Sequence, residues 1–281
     1  MRRRQSILRI GQIDYANCVP IFTYLQNAYP ANDYRFVKGI PSELNSMLFS
    51  GQLDVCPSSS IEFAKHPESY LILKDLSISS IGRVKSVYLL SRLPIENLDQ
   101  QTLGLTGESD TSVNLLKIIL HKFYGHRNSF ETLRISTPEA LSDFPAILLI
   151  GDSALKAGLL RDSSIYTYDL GELWYKHTGL PFVFALWIVR EETVLRKRSC
   201  VHTLYTQLCA AKQSTCSMFE SAAESFTKEW ISREDLIDYW RSISYDLTPY
   251  HLEGLRVFYQ FSTELGLIHG VPPLHLFPEP Q

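Results

Sequence analysis

The sequence predicts an α/β protein of two lobes with a helical C-terminal segment. Three observations predict it. Short strands and helices alternate over residues 8–65 and again over about 103–150. Two long apolar runs, Val84–Ser91 and Phe182–Val189, flank the second set. After Arg190 only helical patterning follows. Strands alternating with helices at this spacing indicate βαβ units and a mainly parallel sheet.

In order, Leu8–Ile13 reads as a strand, and Pro20–Gln26 as the first turns of a helix that tolerates its early proline. Phe36–Lys38 is a strand. Pro41–Ser50 is a helix that Gly51 stops, and Leu53–Cys56 a strand before a short helix at Ile61–Lys65. The run Val84–Ser91 ends at Pro94. Strands follow at Leu103–Thr106, Leu133–Ile135 and Ala146–Ile150, with a helix from about Ser112 to Tyr124. In that helix Val113, Leu116, Leu120 and Phe123 mark one buried face, and Gly125 ends it. Helical segments are expected at Glu191–Lys212, Ser217–Lys228, Arg233–Arg241 and Pro249–Leu265, then an extended tail at Val271–Gln281. The two long apolar runs read as the hinge. Lobe one is then 1–91 with 186–281, and lobe two is an insertion at 92–185. A ligand would sit in the cleft between them, at strand ends and helix starts.

A chain of 281 residues supports about two domains and a large core. Its 45% hydrophobic and 20% charged residues exclude wholesale disorder. The net charge of −3 argues against a general nucleic-acid binder. No run of about 20 apolar residues suggests a membrane span, and no apolar stretch follows the basic start as a secretory leader would require. Five scattered cysteines without a CxxC pair fit a reducing cytoplasm. Eight dispersed histidines form no metal-binding pair.

Polar clusters fall at the strand-to-helix junctions. They include Tyr15-Ala16-Asn17, Ser58-Ser59-Ser60, Ser79–Val87, Thr106–Ser112 and Ile150-Gly151-Asp152. Hydroxyls and free N–H groups at helix starts bind carboxylates, so two facing sets suit a ligand with two of them. Each cluster alone also reads as an ordinary helix cap.

Several ordered strings resemble the chorismate dehydratase family of the futalosine route to menaquinone. They are Y-A-N-C-x-P at Tyr15–Pro20, G-x-P-S-E-L-N at Gly39–Asn45, G-x-L-D-V at Gly51–Val55 and S-S-x-E at Ser59–Glu62. Next come D-L-S-I-S-S-x-G-x-V-x-S-V at Asp75–Val87, T-x-x-S-x-T-S-V at Thr106–Val113 and L-L-I-G-D at Leu148–Asp152. D-L-G-x-x-W at Asp169–Trp174 and T-G-L-P-F-V-F-A-x-W at Thr178–Trp187 complete them. The resemblance covers about residues 8–190. It implies a two-lobed fold like that of type II periplasmic solute-binding proteins, each lobe a mixed sheet flanked by helices. It implies dehydration of chorismate to 3-[(1-carboxyvinyl)oxy]benzoate, with no cofactor and no metal, and a small-molecule partner rather than nucleic acid or membrane. The oligomeric state is left open.

From the motif positions, Asn17 and Ser86 are expected to position the leaving hydroxyl and the reacting carbons. Ser109, Thr111 and Ser112 would bind one carboxylate, and Ser58 and Ser59 another from lobe one. Thr106 and Asp152 are further binding residues, though Asp152 also suits a cap on its own helix. Tyr15 either donates its phenol or walls the pocket. Trp174 and Trp187 read as packing, and Glu43 as a first-turn carboxylate of its helix. Asp14 either enters the cleft or faces solvent. The acids Glu43, Glu62, Asp152 and Asp169 all have capping or surface explanations. The expected base is the substrate's own enolpyruvyl carboxylate, held beside its C3 proton, with a protein carboxylate as the alternative. A solute-binding protein for a small carboxylate, or the dihydroxynaphthoate-forming enzyme of the same pathway, would use the same scaffold. The strings G-x-P-S-E-L-N and T-G-L-P-F-V-F-A speak for the dehydratase.

Overall fold

The computed structural model describes residues 7–30, 34–160, 162–226 and 228–278. The basic start, residues 1–6, and the last three residues of the expected tail lie outside the described residues. Leu8, Ile10 and Ile13 are buried along the first strand, β1 (Leu8–Ile13). Helix α1 (Val19–Ala28) buries Ile21, Phe22 and Leu25 on one face and returns the chain to β2 (Tyr34–Gly39). Helix α2 (Pro41–Phe49) starts on proline, whose missing N–H would be unpaired there anyway. Strand β3 (Val55–Ser59) and helix α3 (Ser60–Lys65) follow, then the 11-residue β4 (Tyr70–Ser80).

The second set comprises β5 (Val87–Ser91), β6 (Thr102–Leu105), α4 (Asp110–Ile118), β7 (Ser129–Thr132) and β8 (Ala146–Ile150). It continues with α5 (Gly151–Leu159), β9 (Tyr166–Asp169) and α6 (Leu170–Thr178). The chain then returns through β10 (Phe182–Arg190) to α7 (Glu191–Ser225), α8 (Arg233–Arg241), α9 (Pro249–Glu264) and β11 (Leu276–Phe277). One sheet has the order β11-β4-β10-β3-β1-β2, the other β7-β6-β8-β5-β9. Both are mixed rather than mainly parallel. β10 runs antiparallel to β3 and β4, and β5 runs antiparallel to β8 and β9.

Several expectations change. Val87–Ser91 pairs within the second sheet, so the chain crosses at 81–86 and not after residue 91. Phe182–Ala185 already pairs with β4, so the return crossing is at 179–181. The two apolar runs are thus core strands of separate sheets, and the short segments before them join the lobes. The strand expected at Leu133–Ile135 lies at Ser129–Thr132 instead, because those residues pair with Thr102–Leu105. Helix α4 widens into a π turn at Ile119–Phe123. Strand β4 was not expected, since its serines mask the apolar pattern. Those serines pin the C-terminal segment: Ser77 N donates to Tyr245 O at 3.0 Å and Ser79 Oγ to Ser244 O at 3.0 Å. The break expected between Lys212 and Ser217 is absent, and the helical run of α7 is instead kinked at Lys197 (φ −133°), which divides it into a short helix and a long one.

The Asp54 carboxylate ties β1 to α7. It accepts Arg9 N at 2.8 Å, Arg9 Nε at 3.0 Å, Lys197 Nζ at 3.1 Å and Thr193 Oγ1 at 3.2 Å. Burial alone would raise its pKa. The bonds from Arg9 and Lys197 outweigh burial and bring it to about 2, against an ordinary 3.8. The difference corresponds to about 2 kcal/mol of stability, complete above the ordinary value and lost as pH falls through the folded one. Asp54→Asn is expected to lower stability by about 2 kcal/mol at pH 7. The gap from the unmodified protein should narrow steadily between about pH 4 and pH 2. Urea unfolding across that range measures it, and a gap that does not change with pH would contradict the assignment.

Candidate active site between the two sheets

A cavity partly open to solvent lies between the sheets. Ile13, Ile78, Val87, Ile150, Phe184 and Ile243 form its apolar wall. Its polar groups are Tyr15, Asn17, Ser59, Ser86, Ser109, Ser112 and Tyr239. None of the lining side chains carries a charge.

Asn17 sits in a single 3-10 turn, Ala16–Cys18, that ends β1. The turn is fixed from two sides. Ala16 N donates to Asp152 Oδ1 at 3.0 Å, from the other lobe. Trp240 Nε1 donates to Ala16 O at 2.7 Å, and the Tyr245 hydroxyl donates to Asn17 O at 2.8 Å. With its backbone held, Asn17 presents a buried Oδ1 that finds no partner among the described residues. A buried amide oxygen left open is rare and calls for a ligand or water.

Ser86 is presented by the crossing segment. The Asp169 carboxylate accepts Val84 N at 3.0 Å, Lys85 N at 2.7 Å and Glu172 N at 3.1 Å, so it clamps that segment while capping α6. Burial pushes the Asp169 pKa up, and these bonds pull it down. Ser86 O accepts Gly151 N at 2.9 Å. Across the cavity, Ser109 caps α4 by accepting Ser112 N at 3.3 Å. Both hydroxyls therefore stand at the positive end of a helix.

Tyr15 and Ser59 also line the cavity, and the remaining expected binders do not. The Thr111 hydroxyl accepts Ile61 N at 3.0 Å, joining α4 to the start of α3 in the other lobe. Ser58 lies one residue before Ser59 on β3 and faces the opposite side, because strand side chains alternate. Its buried hydroxyl has no partner among the described residues. Thr106 accepts Glu108 N at 3.2 Å and Ser136 Oγ at 3.1 Å, so it braces its own loop. Asp152 makes no cap on α5, whose cap position is Ile150. Its carboxylate instead spans the lobes to Ala16, with burial raising its pKa.

The Tyr15 hydroxyl donates to Glu108 across the lobes. Glu62 accepts the Tyr70 hydroxyl at 2.9 Å and sits away from the cavity, its pKa raised by burial. Glu43 is an exposed first-turn residue of α2. Asp14 is exposed, 4.0 Å from Lys38. Trp174 packs on Phe182 and Trp187 on Phe22, both fully buried. Among the described residues no three His, Cys, Asp or Glu side chains gather where they could hold a metal ion. The sequence reading missed Tyr239, Ile243 and Glu108. The first two lie in the segment without a recognised motif, where an amphipathic pattern signals only packing.

Comparison with known proteins gives a family and a fold. The family described as menaquinone biosynthesis matches residues 8–264. A chorismate dehydratase from Thermus thermophilus is 36% identical over 197 residues, 65% of this chain and 70% of that protein. A chorismate dehydratase from Campylobacter jejuni is 32% identical over 193 residues, 67% and 70% of the two chains. Among solved structures, a protein from Archaeoglobus fulgidus superposes with a TM-score of 0.75 at 17% identity, over 95% of this chain and 100% of that one. The periplasmic aliphatic sulphonate binding protein of Escherichia coli superposes at 0.69 with 13% identity, over 98% and 95%. A Candida albicans protein described as having the generic periplasmic binding protein fold gives 0.65 at 14% identity, over 98% of each chain. The fold is that of the periplasmic binding proteins.

Gly151 offers a test of the cavity wall. Its φ of +59° is in the left-handed region, and a Cβ there would stand 2.9 Å from the Tyr15 ring. Gly151→Ala is expected to cost about 1–2 kcal/mol in urea unfolding. A crystal structure of it should show the Tyr15 hydroxyl displaced from Glu108. Full stability with that bond intact would show that the close approach imposes no constraint.

Proposed function

Because the chain belongs to the menaquinone biosynthesis family, we propose that it is a hydro-lyase, a chorismate dehydratase like the two curated relatives. The product is 3-[(1-carboxyvinyl)oxy]benzoate, and the reaction belongs to the futalosine route. We place it in the cytoplasm. The five scattered cysteines and a chain in which no described helix is long and apolar enough to cross a membrane fit that compartment. The observation that carries the proposal is the convergence of Asn17, Ser59, Ser86, Ser109 and Ser112, all neutral, on one cavity between the lobes.

The chemistry needs such groups. The substrate's C3 proton is vinylogous to its ring carboxylate, so removing it drives charge into that carboxylate. Loss of the neighbouring 4-hydroxyl then makes the ring aromatic. Ser109, Ser112 and the first N–H groups of α4 receive the growing charge, and fixed donors at developing charge are a large catalytic term. Asn17 and Ser86 hold the departing hydroxyl. Three carboxylates that could be candidates are engaged elsewhere: Asp152 with Ala16, Asp169 with the crossing segment, Glu62 with Tyr70. The base is then the substrate's enolpyruvyl carboxylate, placed beside the C3 proton by the cavity.

The purified protein is expected to convert chorismate to the carboxyvinyloxy benzoate, followed by chromatography. Asn17→Ala and Ser86→Ala should each lower kcat by about 100-fold or more, with KM little changed. Wild-type kcat in either folded variant would remove that residue from the chemistry. Glu43→Gln, Glu62→Gln and Asp152→Asn should each keep kcat within about tenfold, since an uninvolved carboxylate contributes no proton transfer. A collapse of several thousandfold in one of them, with substrate still bound, would identify a protein base.

A further inference from the structure

Tyr15 follows β1 in lobe one, yet its side chain docks on lobe two. Its hydroxyl donates to Glu108, which lies between β6 and α4. Its ring lies against Gly151 at the start of α5, where an added Cβ would stand 2.9 Å from it. The next residue reaches across through its backbone, since Ala16 N donates to Asp152 Oδ1 at 3.0 Å. Asn17 follows at once. Ile13 and Tyr15 also belong to two hollows. One is the cavity, and the other is a polar groove with Gln12, Thr23, Gln26 and Lys38 on its wall. The Tyr15 ring is thus a wall common to both, and a bond to the opposite lobe fixes it.

We propose that Tyr15 is a positioning residue that acts as a clasp: by bonding Glu108 it holds the two lobes together over the cavity, beside Asn17. When the bond is released, the ring leaves lobe two and the cavity opens into the groove. A bond from a hydroxyl to a carboxylate is among the stronger kinds, so its loss shifts the balance between closed and open lobes by about tenfold. Burial pushes the phenol's pKa up, and it stays protonated as the donor. The clasp also occupies Glu108. A free carboxylate beside the cavity would repel a dianion, a point that rests on the reading of chorismate as substrate.

Tyr15→Phe removes the hydroxyl and keeps the ring, and Glu108→Ala breaks the same bond from the other lobe. Amide hydrogen exchange without ligand reads the clasp directly. Ile61 N donates to Thr111 Oγ1 across the lobes at 3.0 Å. It lies in the first turn of α3, where the helix supplies no acceptor, so its protection depends on lobe two. Exchange at Ile61 is expected to be about tenfold faster in each variant. Unchanged exchange at Ile61 overturns the proposal, and faster exchange confined to Ala16 does so too, because it reports loosening only beside Tyr15. With chorismate, KM should rise by about tenfold in Tyr15→Phe and kcat should fall by less, since a ligand that needs the closed state binds in proportion to its population. A loss confined to kcat overturns the proposal. If the unmodified protein leaves chorismate untouched, the functional reading fails, and exchange at Ile61 still decides the clasp.

Discussion

The buried carboxylate of Asp169 is the point on which the placement of the cavity depends. It is 2% exposed and accepts backbone N–H groups from Val84, Lys85 and Glu172. Two of these belong to the segment that carries the chain from the first sheet to the second. Lys85 has φ +61°, a conformation that a side chain such as lysine adopts only where its surroundings impose it. Asp169 supplies that imposition, and Ser86 follows immediately. From Ser86 the constraint passes on through short contacts. Its carbonyl accepts Gly151 N, the Gly151 backbone lies under the Tyr15 ring, and Tyr15 reaches Glu108. A single carboxylate thus orients polar groups drawn from both lobes, and it can do so because burial leaves it nothing else to bond.

The neutrality of the cavity follows the same logic. A lysine or arginine would bind a dianion strongly before and after reaction alike, and such uniform binding does not raise kcat. Hydroxyls, an amide and a helix start carry weaker fixed dipoles, which gain most where charge grows. The nearest acids are kept out by being used. Asp152 and Thr111 each bridge the lobes to a backbone N–H, so closure rests on bonds that do not enter the cavity.

Much of this was legible in the sequence, and the misses share one cause. Strands with alternating or continuous apolar residues, such as Leu8–Ile13 and Ala146–Ile150, stand where their pattern puts them. Strand β4 escaped notice because its serines look like loop, although they bond to residues 244–246. The lobe boundary was misread because Val84–Ser91 announces a strand without announcing which sheet it joins. At the site, a hydroxyl near a helix start signals a donor or acceptor but not its partner. Ser109 and Ser112 face the cavity, while Thr111 between them faces α3. One residue along a helix is about 100° of rotation, and only the packed neighbour shows which way each one points.

The C-terminal third shows why some functional structure has no string to read. Trp240 and Tyr245 donate to main-chain carbonyls at Ala16 and Asn17. Every residue has a carbonyl, so the acceptor end of such a bond leaves no trace in side-chain identity. The donor end looks like packing, because Trp240 and Tyr239 also sit on the buried face of an amphipathic helix with Leu236 and Ile237. The strongest local pattern in α8 therefore reports its burial and conceals its bonds. What fixes Asn17 is the distance between an indole N–H and a turn more than two hundred residues earlier in the chain. That distance is a property of how α7 lies on α1 and β4 and carries α8 back over the first lobe. The site at the front of the cavity is inseparable from the helices behind it.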